Sequence, residues 1–360
     1  MIRPVIRPVA AVAAMAPYAL ADLGEAGMVS LAQNESAFGP SPRALEAGQA
    51  ALASAALYPD PDWHALRQAI AEMHGQPRER ILCGAGSMEL IGALIRAFAG
   101  PGDEVLGTAH GYLFTATACQ QAGASYVTVP EPNLRVDVDL LLAAITRRTK
   151  LVFVCNPGNP TGTALPNAEL LRLRAGLPAD VLLVVDQAYG EFDPQDPTPV
   201  FDLVARGDTV VLRTFSKAYA LASARVGWGL FPETVGGEMR KLLNPNNVSG
   251  ASQAMAAAAM RDRAHMQGIV ARTAAIRTEF VADLRLAGFS VPEPSTNFVL
   301  IPFASEEVAR AADRALRSGG LLLRGMGGYG LPHALRATIG AAEAMRRAAR
   351  IIAPFGKDIP

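Results

Sequence analysis

Two hydrophobic rhythms take turns along this chain. Short, nearly continuous apolar runs at 80–83, 104–107, 124–130, 151–155, 181–186, 209–214 and 226–230 read as strands buried on both faces. Between them lie longer stretches with helical character at 42–53, 63–74, 89–99, 112–122, 140–145 and 167–175. Ser41 can cap the first, with Pro42 in its first turn, and Asp62 can cap the second. Strands alternating with helices predict an α/β fold with a mostly parallel sheet between helical layers. The alanine-rich stretch after Lys217 reads as helical, and a long alanine-rich helix is predicted over 252–286, its charged residues suiting a bridge between two lobes. Strands at 290–291, 298–301, 321–324 and 335–339, with helices at 306–318 and 341–352, predict a second, smaller α/β unit. The first 28 residues read as an irregular arm with a short helix near Tyr18. The division is therefore an arm (1–30), a large domain (31–250) and a small C-terminal domain (251–360), against which the N-terminal segment packs.

Composition narrows the class. Half of the 360 residues are hydrophobic, enough for a large and a small core. Lysines plus arginines and aspartates plus glutamates balance at 33 each, so no charge footprint for nucleic acid or an acidic membrane exists. Cys83, Cys119 and Cys155 are an odd, widely spaced set, which fits a reducing cytoplasm better than a disulfide framework. The five histidines show no metal-ligand spacing, and no metal is predicted. Arg3 and Arg7 precede a short apolar run, but Pro4 and Pro8 break any secretory helix. No run of about 18 strongly apolar residues predicts a membrane span.

The chemistry-bearing residues fall where the predicted strands end. In a parallel sheet, ligands sit outside the carboxyl ends of the strands. Gly86, Ser87 and Met88 open a helix directly after a strand, a place where backbone N–H groups can hold an anion. The dinucleotide reading of Gly84-Ala-Gly86 fails because Glu89 stands where a third glycine is needed, and no phosphate loop of the Gly-Lys-Ser/Thr kind occurs. Tyr112, Asn159 and Asp186 follow other strands, with Tyr189 three residues after Asp186. A buried carboxylate such as Asp186 needs a partner, and a protonated heterocyclic nitrogen would serve. Lys217, with Ser216 before it and Arg225 eight residues after, is an amine among apolar residues near a cation, a setting that lowers a lysine pKa.

Ten motifs in order carry a family resemblance over nearly the whole chain. They are Ala32-Gln-Asn-Glu-Ser, Tyr58-Pro-Asp, Ala85-Gly-Ser-Met-Glu, Ile95-Arg-Ala-Phe with Pro101-Gly-Asp-Glu-Val, Asn159-Pro-Thr-Gly, Val185-Asp-Gln-Ala-Tyr, Arg213-Thr-Phe-Ser-Lys-Ala-Tyr, Arg225-Val-Gly, Asn297-Phe-Val and Leu335-Arg-Ala-Thr-Ile-Gly. The chain resembles fold-type I pyridoxal-phosphate-dependent aminotransferases of class I/II, and within them the histidinol-phosphate aminotransferase branch. The resemblance implies pyridoxal 5'-phosphate as cofactor and a ping-pong transfer of an amino group from an amino donor to a 2-oxo acid. It implies that Lys217 bonds to the cofactor aldehyde and moves the proton, that Asp186 pairs with the ring nitrogen, and that Asn159 and Tyr189 hold the ring hydroxyl oxygen. Tyr112 would stack on the ring. Gly86, Ser87, Met88, Ser216, Arg225 and, more weakly, Thr214 would hold the phosphate. Tyr58 would reach the cofactor phosphate of a partner subunit, which implies a homodimer with shared sites. Arg336 would take the substrate acid group, with Arg324, Tyr18, Asn34 and Asn297 around the same pocket.

This chain departs from the family pattern in places that bear on substrate. Gln187 stands where an acid usually follows the ring-nitrogen aspartate, Ser87 where the phosphate loop usually has an acid, and Gly325 where proline usually follows Arg324. His110-Gly111 replaces a Pro-Thr pair. The donor is therefore open between histidinol phosphate and an aromatic or other amino acid. A decarboxylase or lyase of the same fold, acting on a phosphorylated amino acid, is the alternative reading. A cofactor-binding transcription regulator would need a DNA-binding domain for which the arm is too short.

Overall fold

The computed structural model describes residues 6–15, 22, 24–25 and 27–356. The arm gives a short helix, Ala10–Ala13, and a two-residue strand, β1 (Val29–Ser30). Among the described residues, seven strands then build the main sheet: β2 (Ile81–Gly84), β3 (Glu104–Thr108), β4 (Ser125–Val129), β5 (Thr149–Cys155), β6 (Leu182–Asp186), β7 (Thr209–Thr214) and β8 (Gly227–Leu230). They lie in the order β2-β8-β7-β6-β5-β3-β4. The pairs β4–β3, β3–β5, β5–β6 and β6–β7 are parallel, while β8 runs antiparallel to both β7 and β2. All but β8 therefore deliver their carboxyl ends to one edge. β6 and β7 are buried along their whole length, as expected of β-branched strands covered on both faces. Each valine or leucine so buried contributes about 1.5–3 kcal/mol.

The helices Pro42–Ala51, His64–His74, Ser87–Phe98, Leu113–Ala122, Val138–Ala143 and Asn167–Gly176 stand where the pattern predicts. Ser41 caps the first, its Oγ accepting from the Arg43 N–H at 3.1 Å. Asp62 does not cap the second. Asp60 does, accepting the His64 N–H at 2.7 Å, while Asp62 pairs with Arg67 and Arg240. Thr198–Val204 and Glu233–Arg240 are helices that the polar-apolar pattern did not separate from loop. In the first, Pro199 is tolerated because the opening turn needs no intrahelical N–H.

The stretch after Lys217 is not a helix. Residues 215–226 form a closed loop in which the Phe215 N–H donates to Val226 O (3.1 Å) and the Leu221 N–H to Phe215 O (3.0 Å). Ala220 and Arg225 take left-handed φ values of 56° and 55°, which no helix accommodates. The predicted long helix is two: Gly250–Arg261 and Arg263–Leu286. They part at Asp262 (φ −90°, ψ 61°), whose carboxylate accepts from Ser41 Oγ at 2.6 Å and caps the second helix at the His265 N–H.

The C-terminal part has its own sheet, β11 (Arg324–Gly325), β12 (Ala334–Thr338) and β9 (Phe298–Pro302), in the order β11-β12-β9 and antiparallel throughout. β10 (Leu321–Leu322) pairs parallel with β1 in a separate two-stranded sheet, tying the arm to the C-terminal part. The expected strand at 290–291 is absent. Pro292 and Pro294 remove ladder donors, and Val291 is buried without pairing. Helices Glu306–Ser318 and Ala342–Ile352 cover the sheet. Two principal apolar clusters result. One is centred on the main sheet and includes Ala256 and Met260; the other joins Leu31 to residues of 280–352. Helix Arg263–Leu286 bridges them, with Met266 and Val270 on the first and Phe280 and Leu284 in the second.

Candidate active site

The parallel strands place one residue set around a single cavity. Beyond β7, the loop 215–226 presents Ser216, Lys217 and Arg225. Thr214 Oγ1 donates to Ser216 Oγ (3.0 Å) and accepts the Ser216 N–H (3.2 Å), while Arg225 Nη1 lies 3.5 Å from Ser216 Oγ. Facing them, Gly86 precedes the helix Ser87–Phe98 with φ +83°, and a Cβ there would sit 2.5 Å from Arg225 Nη2. A Cβ on Gly227 would meet the Ser87 N at 2.3 Å. These glycines let the arginine and β8 close on a helix N-terminus, whose first amides lack intrahelical partners. Helix amides, a hydroxyl pair and a guanidinium make a cradle for a phosphate-sized anion.

Lys217 points into the cavity from the other side. Its Nζ donates to the carbonyls of Gln33 (3.3 Å) and Asn34 (3.1 Å). Burial pulls its pKa down to about 8; Arg336 and Arg225 add to that and Glu35 opposes it. Asp186 closes β6. It is 4 % exposed, its Oδ1 accepts the Ala188 N–H at 3.1 Å, and Cys155 Sγ lies 3.9 Å from Oδ2. Among the described residues no cation forms an ion pair with it, and burial pushes its pKa up to about 6. Tyr189 packs edge-on to Phe298, and its buried hydroxyl is held well above the usual phenol pKa by burial.

Asn34 ties these groups together. It is buried with φ 55°, and its Nδ2 donates to the Tyr189 hydroxyl at 2.8 Å. Its N–H donates to Thr338 Oγ1 (2.9 Å), whose hydroxyl donates back to Asn34 Oδ1 (3.2 Å). Asn297 Nδ2 donates to Asn34 O at 3.1 Å. Arg336, also buried, donates from Nη1 to Asn159 Oδ1 (2.5 Å) and from Nη2 to Ala32 O (3.0 Å). Its Nε is buried with no acceptor among the described residues. Arg324 stands directly opposite Arg336 across β11 and β12, so both cations occupy one face of the small sheet. Among the described residues neither guanidinium forms an ion pair, an arrangement that suits a ligand anion.

The cavity encloses about 510 Å³. Of the residues singled out from sequence, Ser87, Met88, Tyr112, Asn159, Asp186, Tyr189, Thr214, Ser216, Lys217, Arg225, Asn34, Arg324 and Arg336 line it. Gly86 sits just behind the cradle, and Asn297 lies behind Asn34 rather than on the wall. Tyr58 is 88 % exposed and does not reach this chain's cavity. Tyr18 lies outside the described residues. Sequence reasoning missed Glu35, Cys155 and Tyr329 on the wall, and the Gln33 carbonyl at Lys217. Tyr329 lies in the loop 325–330, which its nearness to Arg324 marks. Cys155 and Glu35 carry no spacing signal.

The family model for aminotransferase class I and II matches residues 26–352. The chain belongs to this family. It is 47 % identical over 320 residues to a histidinol-phosphate aminotransferase of Paramagnetospirillum magneticum, with 88 % of each chain covered. It is 43 % identical to one of Dinoroseobacter shibae, with 91 % of each covered. Among solved structures, the histidinol-phosphate aminotransferase of Sinorhizobium meliloti, in complex with pyridoxal-5'-phosphate, superposes with a TM-score of 0.86 at 30 % identity, over 91 % of each chain. In this aminotransferase, then, the lysine, the buried aspartate, the anion cradle and the arginine pair open onto one cavity.

Proposed function

We propose that this aminotransferase uses pyridoxal 5'-phosphate to move an amino group from histidinol phosphate to a 2-oxo acid. The observation that carries the reading is one cavity holding both Lys217, with its lowered pKa, and Asp186, buried without a cation, beside the Arg336–Arg324 pair. The residues fit the cofactor. Asp186 lacks the partner that a protonated ring nitrogen would be, and the cradle of Ser87, Met88, Ser216 and Arg225 suits a phosphate. When bound, pyridoxal phosphate supplies an aldehyde for amine exchange and a ring that accepts the electron pair released at the donor's amine-bearing carbon.

The chain's own residues divide the remaining work. Asp186 would hold the ring nitrogen protonated, Asn159 and Tyr189 would hold the ring hydroxyl oxygen, and Tyr112 would cover a ring face. Lys217 would be the amine that holds the aldehyde, and its Nζ, with a pKa of about 8, would take the proton from the donor's amine-bearing carbon and return one on the cofactor side. Arg336 and Arg324 hold the donor's phosphate in one half-reaction and the oxo acid's carboxylate in the other. The curated relatives carry aminotransferase names, which favours transfer over the lyase alternative.

Three further readings belong here. The site is shared in a homodimer: Leu52, Leu57 and Tyr58 are 61 %, 74 % and 88 % exposed, an apolar stretch that a second copy would cover while Tyr58 reaches its cofactor phosphate. The lobes divide within Arg263–Leu286 rather than at 250, because Gly250–Arg261 packs on the first cluster. The protein works in the cytoplasm, consistent with three free cysteines; among the described residues no helix is long and apolar enough to cross a membrane.

The test is a half-reaction. Enzyme loaded with cofactor and mixed with histidinol phosphate, without oxo acid, loses its visible absorbance stoichiometrically and regains it on adding 2-oxoglutarate. Release of carbon dioxide from an amino-acid donor, or no spectral change with histidinol phosphate, phenylalanine and tyrosine alike, overturns the reading.

A further inference from the structure

The loop that follows Arg324 is poorly suited to order itself. Residues 325–330 include Gly325, Gly327, Gly328 and Gly330, and glycine loses more conformational freedom on ordering than any other residue. Yet this loop sets part of the anion pocket: Tyr329 lines the cavity, and its side chain hydrogen-bonds Arg336. The loop's own backbone bonds are short-range, the Tyr329 N–H to Met326 O (2.9 Å), the Gly330 N–H to Gly327 O (3.0 Å) and the Leu331 N–H to Met326 O (3.2 Å), with the Met326 N–H to Ala334 O (3.1 Å) holding its start to β12.

A contact from the large lobe adds a side-chain hydrogen bond to these. His110 stands two residues after β3, its own N–H donating to Glu131 Oε1 at 3.0 Å. Its Nδ1 lies 2.8 Å from the Tyr329 carbonyl. A carbonyl only accepts, so Nδ1 carries the proton. A Cβ on Gly330 would lie 3.9 Å from the same ring, so the loop passes close against it. Leu113 packs beside this contact against the cluster of Met326, Tyr329 and Leu331.

We propose that His110 is a positioning residue for substrate recognition: its Nδ1–H fixes the Tyr329 backbone, and Tyr329 in turn fixes Arg336 toward the substrate anion. His110 is not among the residues that line the cavity. It acts on the affinity for the phosphate- or carboxylate-bearing substrate and leaves the proton-transfer groups alone. The assignment of Arg336 to substrate rests on the aminotransferase reading above; the His110–Tyr329 contact does not.

Two variants test it. His110→Leu removes the donor at similar bulk, and His110→Asn keeps an N–H donor near the position of Nδ1. The expected result for His110→Leu is a KM for donor and oxo acid raised about fivefold, the effect of losing one neutral hydrogen bond. Its kcat and bound-cofactor absorbance stay within twofold of the parent, and His110→Asn restores KM. Amide hydrogen exchange on cofactor-loaded enzyme, with no substrate present, should quicken across 326–331 in His110→Leu and not in His110→Asn. That readout stands even if histidinol phosphate is not the donor, so failure of the donor assignment is visible separately. Unchanged exchange and unchanged KM in His110→Leu overturn the proposal. So does an equal fall of kcat and cofactor absorbance in both variants.

Discussion

Asp186 is a residue whose chemistry and stability should pull in opposite directions. Its ordinary pKa of 3.8 rises to about 6 on burial. The sign follows from proton binding. Between pH 3.8 and 6 the folded state holds the proton more tightly than the unfolded chain, so stability falls as pH rises through that window, and above it the full penalty remains. The shift of roughly two units amounts to on the order of 3 kcal/mol for cofactor-free protein. Asp186→Asn removes the charge while its Oδ1 can still accept the Ala188 N–H. Cofactor-free Asp186→Asn should therefore unfold at a higher temperature than the parent at pH 7.5, by roughly 1–3 °C for each kcal/mol regained. The advantage should shrink toward pH 4. Adding pyridoxal phosphate should stabilise the parent more than the variant, because the ring nitrogen then offsets the buried charge. Calorimetry at pH 4, 5, 6 and 7.5, with and without cofactor, reads all of this. A variant that is no more stable at pH 7.5, or an advantage independent of pH, would refute the claim that Asp186 is buried without a cation.

The other predictions concern the groups around it. The rate at which cofactor-free protein bonds covalently to pyridoxal phosphate should rise with pH through about 8 and then level, as stopped-flow absorbance would follow; a rise continuing toward the ordinary lysine range would mean Lys217 is not perturbed. Lys217→Ala should leave no borohydride-reducible adduct and lose about 10²–10⁴-fold in transfer rate; an adduct of parental yield would place the bond on another lysine. Arg336→Ala should raise KM for the oxo acid by at least about tenfold, the loss expected when a charge-assisted bidentate contact goes; kinetics with an unchanged KM would move anion recognition elsewhere. Asn34→Ala frees the Tyr189 hydroxyl from the amide that holds it at 2.8 Å, so the pKa of the cofactor–lysine chromophore should shift, read by a spectrophotometric pH titration, while an unmoved pKa would leave Asn34 a purely structural part.

The main sheet was legible because its strands are nearly pure apolar runs, and runs such as 181–186 and 209–214 have few other ways to be buried. The edge that carries the cavity was legible for a related reason: Asp186 ends a strand, Asn159 and Lys217 follow strands, and parallel strands end on the same side. Local propensity misled where tertiary closure overrides it. Alanines after Lys217 favour helix, but the loop 215–226 closes on Val226 through two left-handed residues. Val291 looked like strand although Pro292 and Pro294 deny it a ladder. Asn34 was read as a substrate contact; it lines the cavity, and its hydrogen bonds also reach Tyr189, Thr338 and Lys217, partners 155, 304 and 183 residues away, which no local pattern encodes. Tyr58 does not line its own chain's cavity, so the role that the resemblance implies for it would depend on a second copy.

One consequence of β12 concerns how such an enzyme could be retargeted. Arg336 and Thr338 are two residues apart on this strand and so share a face. On the function proposed above, the first would meet the substrate anion; the second fastens Asn34, and through it the Tyr189 hydroxyl and the Lys217 amine. Recognition and proton transfer thus hang on one short rod. Sliding or twisting that rod to admit a new substrate would misalign the chemistry in the same movement. Changes of specificity are cheaper in the glycine-rich loop after Arg324, which can be rebuilt while the strand stays still. An engineer broadening the donor range should randomise 325–331 and leave 334–338 untouched.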